Sequence, residues 1–401
     1  MKIHSIYREG ARPLRFLSVL ILSGIAYGLY KGVQDNYLIE ALGVNPFQRG
    51  IIEFVREIPG LLVMFILAAM YRFAEQRVFK IGTTLMLAGV AGLLVVRSEI
   101  FIVVVFIVVY SFGEHIVMPV KSTISLDLAE KGRGGAALGV TSTISNLGNI
   151  AGYLIVSLIF FIFARLGFER TDTAQFKLVF GVSTALMVAA VLISLAVRET
   201  EMKTKRRRFY FSRKFSTYYM LEIFYGARKQ VFFTFGPMVL IREYGAPTSV
   251  IATLLAFAAV FGMVFSPLIG RLIDYLGCKI IMVSDTLILV AVCFFYGFSH
   301  RIFPKDTAFI VVCVNYILDS ILTLGSMATN VYVQSISETQ DEMTATISTG
   351  ISINHVLSIF IALLGGFIWN ITGIEVLFCI SAALGLLNSA YAATIKLPPK
   401  G

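Results

Sequence analysis

The sequence predicts an all-α polytopic membrane protein, with twelve transmembrane helices in two pseudo-symmetric bundles of six. Three observations carry this. The chain has 401 residues, 57% hydrophobic and only 14% charged, against roughly 25% charged in an average soluble domain. Its mean hydropathy is +0.82. Apolar stretches of about 20 residues, the length that crosses a bilayer, recur along the whole chain. Near the midpoint lies one strongly basic connection, and short matching segments occur on either side of it.

The expected spans are 14–38, 50–71, 80–96, 100–120, 136–163, 177–197, 216–240, 249–270, 280–298, 307–333, 344–369 and 374–395. Each is expected to be a helix, because backbone groups in lipid must be satisfied within the segment. The alternating short-strand pattern of a barrel is absent. The N-terminus is basic (Lys2, Arg8, Arg12, Arg15) and then apolar through Leu38. That run is too long for a signal core and lacks a small-residue cleavage site, so it reads as the first span.

Orientation follows from Lys and Arg. With the N-terminus cytoplasmic, cytoplasmic segments hold 22 of these residues and outside loops hold 8. Both termini are therefore expected in the cytoplasm of a cell (inner) membrane. The net charge of +10 belongs to these loops, where anionic lipid headgroups are expected partners. No basic domain is present to bind nucleic acid. Cys278, Cys293, Cys313 and Cys379 show no disulfide or zinc spacing and read as packing residues. No metal or organic cofactor is implied, and the protein is expected to be monomeric.

The domain reading is a six-helix bundle over 1–197, a basic cytoplasmic linker over 198–215 and a second bundle over 216–401. The linker contains Lys203-Thr204-Lys205-Arg206-Arg207-Arg208. Two segments repeat across it. Tyr27-Gly28-Leu29-Tyr30-Lys31 in span 1 matches Tyr225-Gly226-Ala227-Arg228-Lys229 in span 7. Ile144-Ser145-Asn146 in span 5 matches Ile351-Ser352-Ile353-Asn354 in span 11.

Span 8 ends in Gly270-Arg271-Leu272-Ile273-Asp274-Tyr275-Leu276-Gly277-Cys278-Lys279. This resembles the cytoplasmic loop motif G-x-L-x-D-R-x-G-x-K of the major facilitator superfamily. Gly270, Leu272, Asp274, Gly277 and Lys279 match it, and Tyr275 stands where Arg is usual. The first-half copy is worn, with Tyr71, Glu75, Val78 and Lys80 in the corresponding places. The resemblance implies two bundles, each of inverted three-helix repeats, around a central site. Spans 1, 4, 7 and 10 would line the cavity, with 3, 6, 9 and 12 outside. It assigns Gly270, Asp274, Gly277 and Lys279 to a gating loop in which Asp274 meets a helix N-terminus and a basic residue.

Charge placement agrees with that layout, because charge exposed to lipid is costly. Spans 3 and 6 carry no interior charge. Span 12 has Glu375 at its start, and span 9 has the exception, Asp285. The rest cluster: Lys31 and Asp35 with Tyr27 and Gln34 in span 1; Glu53, Arg56 and Glu57 in span 2; Glu114 and His115 in span 4; Glu222, Tyr225, Arg228 and Lys229 in span 7; Asn315 and Asp319 in span 10; Asn354 and His355 in span 11. Such groups must pair, meet water or bind something. Span 7 offers only Glu222 to balance its two cations, and span 10 offers Asp319 no cation.

The expected function is secondary active transport of a small polar or charged solute by alternating access. Lys31, Arg228 and Lys229 are placed at matching repeat positions, where the pseudo-two-fold would make them face each other. Two facing cations suit an anion, an arrangement similar to the organophosphate:phosphate antiporters of the superfamily. With them, Tyr27, Gln34, Tyr225, Asn354 and His355 are candidate solute-binding residues. Asp35, Glu53, Arg56, Glu57, Glu114, His115, Glu222 and Asp319 are candidates for ion coupling or intramembrane pairing. Multidrug or cation efflux is the alternative; that branch carries G-x-x-x-x-G-P-x-x-G-G, whereas span 5 reads Asn146-Leu147-Gly148-Asn149-Ile150-Ala151-Gly152 without the Pro. A non-transporting sensor or scaffold on the same fold is the alternative of another class. No HExxH, GxSxG or GxxxxGK[ST] motif points to an enzyme or an ATP-driven pump.

Overall fold

A computed structural model describes residues 6–97, 99–197, 199 and 211–395. Of the expected linker this includes Glu199 and 211–215; the basic run 203–208 lies outside the described residues. The helices are α1 (Ala11–Asn36, continued by a π-turn Tyr37–Ala41), α2 (Pro46–Ala69), α3 (Glu75–Val95), α4 (Ile100–Leu128), α5 (Gly134–Arg165), α6 (Thr173–Leu195), α7 (Ser216–Tyr244), α8 (Thr248–Leu276), α9 (Cys278–Ile302), α10 (Lys305–Leu322), α11 (Met327–Ile336), α12 (Gln340–Thr372) and α13 (Ile374–Ala393). Every expected span is helical. Span 10 is α10 and α11 joined by a 3-10 turn, Thr323–Ser326. Among the described residues, ten spans are apolar and long enough to cross a membrane. The remaining two, α2 and α7, are long but carry the densest charge.

Two compact units emerge from the packing. Among the described residues, one comprises those within 1–43, 62–206 and 247–256, and the other those within 44–61, 207–246 and 257–401. The start of α2 thus packs with the second-half helices, and the start of α8 packs with the first-half helices. In the first unit, Ser157 of α5 meets Thr253 of α8 at 2.7 Å. In the second, Gly50 of α2 lies so close to α12 that an added Cβ would sit 3.2 Å from the Gly366 Cα.

Glycine decides the tightest crossings. α1 carries Gly24, Gly28 and Gly32 at four-residue spacing, and α5 answers with Gly148 and Gly152. A Cβ on Gly24 would meet Ser145 O at 2.8 Å, and one on Gly28 would meet Gly152 Cα at 2.9 Å. This is small-residue packing, which in lipid replaces the missing hydrophobic drive. Asn149, its side-chain amide donating, reaches Gly24 O and Ser145 O at 3.1 Å. The second unit repeats the contact: a Cβ on Gly226 of α7 would meet Asn354 Oδ1 of α12 at 2.7 Å. By contact, then, the counterpart of Asn354 is Asn149, three residues beyond the Asn146 matched by sequence. Gly152→Val is expected to cost about 1–3 kcal/mol through forced separation of α1 and α5, read as a lowered melting temperature against Gly139→Ala. Gly139 has open space where a Cβ would go.

The loop motif closes each bundle onto its own last helix. Gly277, at φ 88°, turns α8 directly into α9, a conformation that favours glycine. Lys279 Nζ donates to Ile395 O at 3.0 Å, just past α13, where the helix end favours a cation. In the first unit Lys80 Nζ lies 3.6 Å from Glu199, just past α6, and Arg77 pairs with the same carboxylate at 2.8 Å. The hydrogen bond from Arg77 holds the Glu199 carboxyl below its ordinary range. Asp274, expected to hold a neighbouring helix, is exposed, and no ion pair reaches it among the described residues. Within the second unit the bond to the last helix is made by Lys279.

A short N-terminal strap finishes the first unit. Arg8 N donates to Leu128 O at 3.0 Å, and Glu130 N donates to Ile6 O at 2.9 Å. Tyr7 is buried with its hydroxyl donating to Ala137 O at 2.8 Å, beside Ser125 and Thr141. The strap ties the end of α4 and the start of α5 to the start of α1.

Candidate solute-binding and coupling residues

The end of α1 and the middle of α4 hold the first-unit candidates. Lys31 is 9% exposed and Gln34 1% exposed. Lys31 Nζ donates to Gln34 Oε1 at 2.8 Å. That bond orients the amide so that Gln34 Nε2 points away, and no acceptor meets it among the described residues. A buried unmatched donor costs about 1–3 kcal/mol. Asp35 is buried on the same helix and interacts electrostatically with Tyr153 of α5. Tyr27, one turn earlier, is half-buried. On α4, Glu114 is half-buried and in electrostatic range of Lys121, Tyr110 and Tyr153. His115 Nδ1 lies 2.9 Å from Ser111 O.

In the second unit the charges form three groups. The first is at the start of α2. Arg49 and Glu53 are wholly buried and pair at 2.8 Å. Arg56 pairs with both Glu53 and Glu57 and lies over the Phe233 ring. Gln230 of α7 donates to Glu53 Oε1 at 3.2 Å, and His355 Nδ1 of α12 lies 2.8 Å from Glu57 Oε2. Three helices are therefore bound through one ionic cluster. α2 begins at Pro46 rather than near residue 50, so Arg49, assigned by sequence to an outside loop, lies within the helix. Its spacing of four from Glu53 was the available signal.

The second group surrounds Arg228, which is 2% exposed on its side chain and pairs with Asp285 Oδ2 of α9 at 3.1 Å. The guanidinium also lies over Tyr225. Tyr225 donates to Thr323 O at 3.1 Å, at the 3-10 break in span 10. Asp285 enters here because Gly325, in that break, has no side chain: a Cβ there would lie 3.0 Å from Asp285 Oδ2. Asp319, one turn before the break, interacts electrostatically with Arg228 and Lys229. Lys229 itself is exposed. The expected shortage of counter-charge on span 7 is thus filled from elsewhere, and the exceptional Asp285 of span 9 is the partner.

The third group is Glu222. Its carboxylate accepts from Thr329 Oγ1 at 3.1 Å and from Asn354 Nδ2 at 3.2 Å. Among the described residues no cation lies at ion-pair distance from it. Sequence reasoning missed Gln230 and Thr329, which carry no charge in runs rich in polar residues.

Taken together, these features define a class: a helical multi-pass membrane protein with ionic clusters inside its spans. The sequence model of the Major Facilitator Superfamily matches residues 16–353, and the chain belongs to that family, a family of secondary transporters. Solved structures agree in fold. The nucleoside transporter NupG is 14% identical with a TM-score of 0.75, covering 96% of this chain and 99% of its own. A D-xylose-proton symporter is 13% identical with a TM-score of 0.74, covering 96% and 98%. The peptide transporter POT in complex with sulfate is 13% identical with a TM-score of 0.71, covering 97% and 96%. No curated protein sequence matches the chain.

Proposed function

We propose that this transporter carries a small organic anion across the cytoplasmic membrane together with protons, by alternating access of the rocker-switch type, with both termini cytoplasmic. The observation that carries the reading is the Lys31–Gln34 pair. A buried ammonium and a buried, unmatched amide N–H stand side by side in α1. An anionic oxygen would accept from the Gln34 N–H and lie beside the Lys31 ammonium. Arg228, Lys229 and Tyr225 are the second unit's solute-binding residues.

The second unit supplies the coupling. Arg228 and Lys229 are offset by Asp285 and Asp319, so this group is neutral with both acids ionised. A proton taken up by Asp319 removes one negative charge and leaves a cation to attract the solute. The proton and the anion then enter together, which lowers the charge carried through the membrane. The proton-free group, being neutral, attracts the same solute less.

The test is a thermal-shift screen of purified protein in nanodiscs with phosphate esters, carboxylates, amino acids, sugars and lipophilic cations. A ligand that binds the folded state raises the melting temperature. One anion class is expected to do so. Lys31→Ala and Gln34→Ala should weaken it about 10- to 100-fold, the worth of a charged hydrogen bond. Stabilisation by lipophilic cations alone would favour the second reading, cation efflux. Glu222, which accepts its hydrogen bonds from the neutral donors Thr329 and Asn354, supports that alternative.

A further inference from the structure

We propose that the cleft between the start of α1 and the end of α6 binds an anionic phospholipid. The cleft has a volume of about 470 Å³ and is lined by Ala11, Leu14, Arg15, Ser18, Leu192, Ile193 and Ala196. Its walls are apolar and open: Leu14 is 50% exposed and Leu192 62% exposed, and both helices are membrane spans. A soluble anion has no use for such walls, whereas an acyl chain does.

One end of the cleft is basic. Arg15 Nη1 donates to Ala196 O at 2.8 Å, which anchors the guanidinium across the cleft. A guanidinium has five N–H donors, so most remain for a phosphate. Arg12 is one turn earlier and Arg8 is exposed nearby in sequence. Glu9 is exposed, and among the described residues no carboxylate forms an ion pair with Arg8, Arg12 or Arg15. The first turn of α1 contains no acid, and Gly10 caps it without a side chain, so the helix end adds positive potential. A basic mouth above an apolar groove between spans matches a diacyl phosphate ester: headgroup on Arg15 and Arg12, chain along Leu14, Ser18, Leu192 and Ile193. Bound there, the lipid would bridge the first and last helices of the first bundle, and so its stability would depend on headgroup charge.

The test uses the full chain, delipidated in neutral detergent and followed by native mass spectrometry and thermal shift. The probes are dioleoyl-phosphatidylglycerol, dioleoyl-phosphatidylcholine and glycerol 3-phosphate. Phosphatidylglycerol is expected to be retained about tenfold more than phosphatidylcholine and to raise the melting temperature; glycerol 3-phosphate should do neither. Arg15→Gln should abolish the preference. Ser18→Trp, which fills the cleft and keeps the arginine, should reduce retention of both lipids. Arg165→Gln, a cation elsewhere on the surface, should leave retention unchanged. Equal retention of the two lipids, retention undiminished in Arg15→Gln or Ser18→Trp, or stabilisation by glycerol 3-phosphate alone would each overturn the proposal. None of these readouts involves the transported solute.

Discussion

Glu53→Ala is expected to be strongly destabilising, at about 3–5 kcal/mol, the cost of removing one partner from a buried ionic cluster. Glu53 is wholly buried and takes bonds from Arg49, Arg56 and Gln230. Its loss strips a carboxylate from two arginines at once, and Arg49 is as buried as Glu53 itself. A change of this size would remove folded protein from detergent or lower its melting temperature sharply. Glu53→Gln keeps the shape and some hydrogen bonds, so its effect should be intermediate. Equal melting temperatures for wild type and both variants would mean that water or lipid headgroups, not Glu53, stabilise the arginines.

Asp285→Ala is expected to cost a similar amount, about 3–5 kcal/mol, for the same reason. Arg228 loses the partner at 3.1 Å and keeps its contact with the Tyr225 ring and its longer-range interaction with Asp319. The paired replacement Arg228→Met with Asp285→Leu should recover most of the stability, because an apolar pair removes both desolvation costs. It should not recover solute binding. This split separates the pair's structural role from Arg228's proposed role toward an anion. A double variant that is stable and still binds solute with unchanged affinity would remove Arg228 from the binding set.

The sequence made the architecture legible because lipid imposes a coarse, long-range pattern. Twelve apolar runs mark twelve helical spans, one of them broken into α10 and α11, and the bounds err by four residues at Pro46 and eight at Leu128, where polar ends continue as helix. The break at Thr323–Ser326 was not legible, since Thr-Leu-Gly-Ser fits a helix nearly as well as a 3-10 turn. The charged residues were also legible as a set, because charge in an apolar span has no cheap explanation. Their partners were not. Arg228 meets Asp285 across two helices far apart in the chain, and spacing along one helix is silent about such pairs. Asp285 was visible only as an exception to the rule that outer spans avoid charge, and the glycine at 325 that admits it carries no chemical signature. The contact between Asn354 and Gly226 likewise corrected a repeat match that was three residues out of register, because short identities fix register poorly when the helices are otherwise apolar.

The most direct test of the account is uptake into proteoliposomes of the anion that stabilises the protein, with and without an inward proton gradient. Wild-type protein is expected to accumulate the anion only with the gradient. Lys31→Ala should lower uptake under both conditions. Asp319→Asn should exchange internal for external anion at equilibrium yet fail to respond to the gradient. Uptake unaffected by the gradient, or gradient-driven accumulation that persists in Asp319→Asn, would contradict proton coupling at that residue; full uptake in Lys31→Ala would contradict the anion site itself.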